Sequence, residues 1–168
     1  SHVLFCNSEG TSYYDYRPMV NFIAVCIMQD KGRVENYVAS RSYRKGFEFL
    51  TDDIVDMLAR EAVEKTSLLF QAVKPKGGEM PVVMGAGGSG ILLHEAIGHA
   101  FEADFNRKRT SIFCDMLGKK VCDEHIQVVD DGTIPFNRGS VNFDDEGVEG
   151  QKTYLVKDGI LTSYIHDR

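Results

Sequence analysis

Polar and apolar positions alternate with the period of a strand through the first fifty residues, and then take up the period of a helix. "VLFCN" at 3–7 reads as one strand, "MVNFIAVCIMQ" at 19–29 as a long apolar one, and "RVENYVASRSY" at 33–43 as its partner across Asp30, Lys31 and Gly32. The pattern predicts a β-hairpin with one further strand before it. Thr51, followed by Asp52 and Asp53, has the chemistry of a helix N-cap with an acidic first turn. Ile54, Val55, Leu58, Ala62 and Val63 then keep a helical period, predicting a helix to about Gln71.

"KPKGGEM" at 74–80 reads as a linker between two domains, 1–73 and 80–168. Beyond it "PVVMG" at 81–85 predicts a short buried strand, and a glycine-rich turn leads into a helix from about Ser89 to Phe105. From residue 110 the chain becomes strand-like, with turn signals at Asp131-Gly132, Arg138-Gly139, Glu146-Gly147 and Asp158-Gly159. The last of these joins "TYLVK" to "ILTSYI" as a hairpin. The expected fold is α+β, mostly antiparallel sheet with two principal helices. The long apolar strand and the late hairpin offer edges on which an extended peptide could add a strand.

Composition narrows the partners. In 168 residues 43% are hydrophobic and 26% charged, the balance of an ordinary globular chain. The formal charge of −6 argues against nucleic acid, whose phosphates are bound by excess Lys and Arg. The one basic cluster, Asn106 to Arg109, reads as a solvated helix end. No apolar run is long enough to span a membrane and no secretory leader is apparent, so the expected compartment is the cytoplasm. Cys6, Cys26, Cys114 and Cys122 lack the spacing of a zinc knuckle or redox pair and are expected to be reduced core thiols. The acidic pairs at Asp130-Asp131 and Asp144-Asp145-Glu146 do not fit a calcium loop and read as turns.

Two motifs compete for the chemistry within "GAGGSGILLHEAIGHAFEAD" at 85–104. Gly85 to Gly90 is a literal G-x-G-x-x-G, the opening of a dinucleotide-binding helix. That fold also needs a second strand ending in Asp or Glu about twenty residues on, and here Arg107, Lys108 and Arg109 follow instead. His94, Glu95 and His99 form H-E-x-x-x-H, one residue longer than the zinc-peptidase motif. On a helical wheel Leu92, Leu93, Ala96, Ile97, Ala100, Phe101 and Ala103 fill an arc from about 160° to 340° relative to His94. Glu95, His99 and Glu102 lie near 100°, 140° and 80°.

The spacing has a geometric consequence. In a regular helix residues five apart diverge by about 140°, so two imidazoles could not reach one ion. A single π-type turn with an i to i+5 bond restores convergence, and Gly98 makes such a distortion cheaper. The sequence therefore predicts an irregular turn near Ala96 to Gly98. With zinc held there, Glu95 would take a proton from water and pass it to a leaving amine. Glu102, Cys114, Cys122 and His125 are the in-chain candidates for a third ligand, none with diagnostic spacing.

"GSGILLHEAIGHAFEADFNRKRTS", then "VVDDGT", "RGS", "DDEG" and "DGIL", in that order, resemble the TldD/PmbA family of metallopeptidases, once called modulators of DNA gyrase, and its TldD branch in particular. The resemblance runs from about Met80 to the end, which it marks as the start of the family's C-terminal, mainly antiparallel metallopeptidase domain, and the first seventy residues, with "NSEG", are similar more loosely to the end of its N-terminal domain. It implies a zinc peptidase acting on flexible or unfolded peptides, with His94 and His99 as ligands and Glu95 as general base. It also implies a homologous TldE/PmbA-like partner subunit, a third ligand that is a cysteine from a downstream segment, and hence a chain that is a fragment of the enzyme. Two other readings compete: a non-catalytic partner-binding module, and a dinucleotide-binding domain using Gly85 to Gly90.

Overall fold

A computed structural model describes residues 1–167, and its backbone divides into two compact units. The first comprises Ser1–Gly78 with Ile134–Ser140, the second Glu79–Thr133 with Val141–Arg168.

The first unit contains β1 (His2–Cys6), β2 (Ser12–Tyr16), β3 (Val20–Asp30), β4 (Arg33–Tyr43) and helix α1 (Asp52–Leu69). β3 and β4 pair antiparallel over their whole length, from Val20 opposite Tyr43 to Asp30 opposite Arg33. Lys31 and Gly32 make the two-residue turn with φ of 46° and 85°, the left-handed pair that matches the twist of a hairpin. Alternation decides which face packs: Phe22, Ala24, Cys26, Tyr37 and Ala39 meet Ile54, Leu58 and Ala62 of α1. Ile23, Val25, Ile27, Val34 and Val38 face outward. Thr51 caps α1 as expected, accepting from the Ile54 amide at 3.4 Å, and Arg33 closes the other end by donating to the carbonyls of Leu69 and Phe70 at 2.7 and 3.1 Å. Cations suit that end of the dipole.

One strand in this unit escaped the pattern. β2 pairs with β1 as a second hairpin, His2 opposite Tyr16 to Cys6 opposite Ser12, where a lone strand was expected. Its sequence, SYYDY, carries Tyr rather than aliphatic residues on alternate positions, which weakens a hydropathy signal but suits a strand. Residues 134–140 also fold here, the Arg44 amide donating to the Phe136 carbonyl at 2.9 Å and the Arg44 guanidinium to Ser140.

The second unit holds the helical segment that carries the H-E-x-x-x-H motif and a three-stranded antiparallel sheet. The sheet is ordered β5 (Val128–Asp131), β6 (Lys152–Lys157) and β7 (Ile160–Leu161). Its core is Phe101, Val128, Leu155, Val156 and Leu161. The predicted hairpin across Asp158-Gly159 is present, with φ of 50° and 75° at the turn. Gly159 is demanded twice over, because a Cβ there would also lie 2.7 Å from the carbonyl oxygens of Cys122 and Asp123.

Two expectations for this unit need correction. Pro81 to Gly85 is not a strand and not buried: Val83 is 99% exposed and Val82 and Met84 are also open. An apolar run becomes a strand only by pairing, and among the described residues no strand pairs with it. Residues 110–127 are a succession of turns rather than strands, tied to the hairpin through bonds such as Gly118 amide to Leu161 carbonyl at 2.8 Å. The acidic turns behave as read. Asp131 accepts from the Thr133 amide and hydroxyl, bonds that hold its carboxyl below the usual range, and Asp144 accepts from the amides of Glu146 and Val148. All four cysteines are free thiols, although Cys6 is exposed rather than in a core.

Candidate metal centre

The helical segment starts where the glycines permit a sharp reversal. Gly87 has φ of 107°, a conformation that side chains resist, and its carbonyl accepts from the Gly90 amide at 2.8 Å as the chain enters α2 (Ser89–Leu93). No strand runs directly into this turn and every named strand pair is antiparallel, so the βαβ unit that a dinucleotide fingerprint requires is absent among the described residues.

After α2 the helix widens. His94–Gly98 form a π turn, followed by a 3₁₀ turn at His99–Phe101. The bond that defines the widening joins the two histidines, the His99 amide donating to the His94 carbonyl, five residues back. This is the irregular turn that the five-residue spacing demanded. Gly98 itself is helical, at φ −57° and ψ −53°, and a Cβ there would meet His94 at 3.6 Å, an ordinary contact. The widened turn therefore does not depend on glycine's conformational freedom.

The π turn stacks the imidazoles of His94 and His99 edge to face, with centroids 4.5 Å apart. One ligating atom from each of His94, Glu95 and His99 lies within 4.8 Å of the other two, and all three residues are exposed. No other trio of His, Cys, Asp or Glu meets this condition among the described residues. Two imidazoles with a carboxylate form a donor set suited to zinc, and their spacing fits a shared ion.

The segment is anchored downstream of the π turn. Ile97 packs on the core and Phe101 is 1% exposed, its ring 4.6 Å from that of Phe113. Leu92 and Leu93, placed by the helical wheel on the same buried arc, are exposed instead. At Glu102 the backbone turns extended, with ψ of 130°, before α3 (Ala103–Arg107). The Asn106 side chain bridges the break, its amide donating to the carbonyls of Ala100 at 2.9 Å and Glu102 at 2.8 Å.

None of the four third-ligand candidates joins the trio. Cys114 donates to the Asn106 carbonyl, Cys122 packs against the core, and His125 pairs with Asp123 at 2.8 Å. The Glu102 carboxylate lies 2.5 Å from His99 Nδ1. That hydrogen bond holds the His99 imidazole above its usual pKa, with the charges of Glu102 and Glu95 adding to it and desolvation opposing. The signal for this contact was present in the sequence, because residues three apart share a helix face.

Profiles of two consecutive domains match this chain, the PmbA/TldA metallopeptidase central domain over residues 1–70 and the C-terminal domain of the same proteins over residues 77–168. The chain belongs to the PmbA/TldD metallopeptidase family. Across 99% of its length it is 40% identical to the metalloprotease TldD homolog of Buchnera aphidicola from Acyrthosiphon pisum, and 42% identical to that of Haemophilus influenzae. A metalloprotease of Methanocaldococcus jannaschii is 39% identical over 98% of the chain. The chain spans 36% of the length of each of these curated relatives.

Solved structures of the family share the fold. A Thermotoga maritima protein named for modulation of a DNA gyrase superposes with a TM-score of 0.80 at 21% identity, over 98% of this chain and 37% of its own. TldE of Thermococcus kodakarensis gives 0.77 at 22% identity, over 95% of this chain and 35% of its own. No helix among the described residues is long and apolar enough to cross a membrane.

Proposed function

We propose that this PmbA/TldD chain contributes the metal-binding helix of a zinc-dependent peptidase that hydrolyses flexible or unfolded peptides in the cytoplasm. His94 and His99 serve as zinc ligands and Glu95 as general base, in company with a homologous TldE/PmbA-like subunit. The observation that carries this reading is the π turn at His94–Gly98, which turns a spacing unsuited to a regular helix into a convergent one. The metalloprotease names of its relatives and the TldE structure among its neighbours support it.

Zinc, when bound, supplies a Lewis acid that polarises a carbonyl and makes water acidic near pH 7. The chain's own residues do the rest. His94 and His99 offer imidazole nitrogens from successive turns of one helix. Glu95, adjacent in sequence and exposed, can accept a proton from water on a carboxylate oxygen and deliver it to the departing amine. That transfer relieves the amide's poor leaving group, the usual obstacle to peptide hydrolysis.

Chelation provides the direct test. Stripping the metal is expected to abolish cleavage of an unstructured reporter peptide by the full-length protein with its partner subunit. Zinc added back should restore it, and a tightly folded protein of similar size should survive. Cleavage that persists after metal removal would overturn the reading.

A further inference from the structure

We propose that Glu102 is a positioning residue of the metal centre, holding His99 by its Nδ1–H so that Nε2 faces the ion. The inference rests on the metal reading above. A histidine has two nitrogens, and which one binds a metal is set by the hydrogen bond that the other makes. Metal-ligating histidines commonly donate that second N–H to a carboxylate, which fixes the tautomer, orients the ring and makes the ligating nitrogen more basic. The 2.5 Å contact between His99 Nδ1 and Glu102 Oε1 has that form.

The backbone explains how a half-exposed carboxylate can hold a position. Glu102 sits where the helix breaks, and the break is fixed on every side. Its amide donates to the His99 carbonyl at 3.2 Å, and its carbonyl receives the Asn106 amide at 3.2 Å and the Asn106 side chain at 2.8 Å. Its neighbours are bound to the strand-like segment at Ile165: the Ala103 amide donates to the Ile165 carbonyl at 2.8 Å, and the Ile165 amide to the Phe101 carbonyl at 2.9 Å. Phe101, one residue before, is locked in the core. A carboxylate rooted in this way restricts the His99 ring far more than one on a free helix surface. Glu102 therefore acts through His99 and is no third ligand.

The test uses the chain with Glu102→Ala, Glu102→Gln and His94→Ala, and two readouts. The first needs no metal: nitrogen chemical shifts of the His99 imidazole, taken well above its pKa. Wild type should carry its proton on Nδ1, Glu102→Ala should move it towards Nε2, and Glu102→Gln, whose amide oxygen still accepts, should keep most of it on Nδ1. The second is zinc affinity by competition with a chelating dye. Glu102→Ala should bind about 10–100-fold more weakly, the usual cost of losing such a partner, with Glu102→Gln in between.

Equal affinity in wild type and Glu102→Ala, with His94→Ala losing zinc, would overturn the role of Glu102 and leave the metal site intact. If wild type binds no zinc, the metal reading fails for this chain. The tautomer then decides alone whether Glu102 sets His99, and an unchanged tautomer in Glu102→Ala overturns it. Should Glu102→Ala fail to fold, zinc affinity in the isosteric Gln variant decides, and wild-type affinity there overturns the role of Glu102.

Discussion

Glu95→Gln is expected to lower peptide hydrolysis by about 10²–10⁴-fold while leaving the metal in place, the range that a positioned acid-base group contributes. The substitution keeps the shape of the side chain and its ability to accept one hydrogen bond. What it removes is the capacity to carry a proton. Glu95 lies within the group whose ligating atoms approach to 4.8 Å, so its carboxylate has two conceivable roles, base or ligand, and measuring rate and metal content together separates them. Loss of rate with retained metal identifies the base. Loss of both would make Glu95 a ligand, and an unchanged rate would remove it from the reaction.

The second large effect is on stability. Phe101→Ala should destabilise the unit formed by residues 79–133 and 141–168 by about 3–5 kcal/mol, the cost of emptying an aromatic site in a core that cannot fully collapse. Phe101 is 1% exposed and packs among Val128, Leu155, Val156 and Leu161, with Phe113 stacked obliquely on its ring. At roughly 4–8 °C per kcal/mol for a unit of this size, its thermal transition should fall by about 12 °C or more. Calorimetry measures this, and a loss of under about 1 kcal/mol would show that the core closes without the ring. Because Phe101 is two residues from His99, metal affinity should weaken in the same variant, whereas a similar cavity made at Leu58, in the other unit's core, should leave it unchanged.

Much of this was legible before the structure. The long hairpin, the capped helix from Thr51 and the Asp158-Gly159 turn rest on local chemistry: alternation, a side-chain acceptor at the right position, and residues that accept positive φ. The widened turn followed from reasoning of another kind, since a functional spacing incompatible with a regular helix left one cheap distortion. The failures share a cause. Val82 and Val83 have the composition of a buried strand but no partner strand, and Leu92 and Leu93 lie on the apolar arc of a helix whose first turns leave both of them exposed. Periodicity reports which face could be buried, and only tertiary neighbours decide whether it is. Glu102 was read as one possible ligand among four, because a carboxylate near two histidines can either bind the ion or hold a ligand in place. Its place three residues after His99 on one helix face already allowed the contact that the structure shows, whereas the Asn106 bridge that stabilises the break after it has no signature in a pattern of hydropathy.

The central claim is that His94 and His99 converge on one ion, and zinc titration tests it most directly. The full-length protein and its His94→Ala and His99→Ala variants should be compared at one fixed pH. Wild type is expected to bind close to one zinc per chain, and each variant to lose at least about 100-fold in affinity, roughly one ligand's share of the binding free energy. Zinc retained in either variant with wild-type affinity would contradict convergence at the π turn.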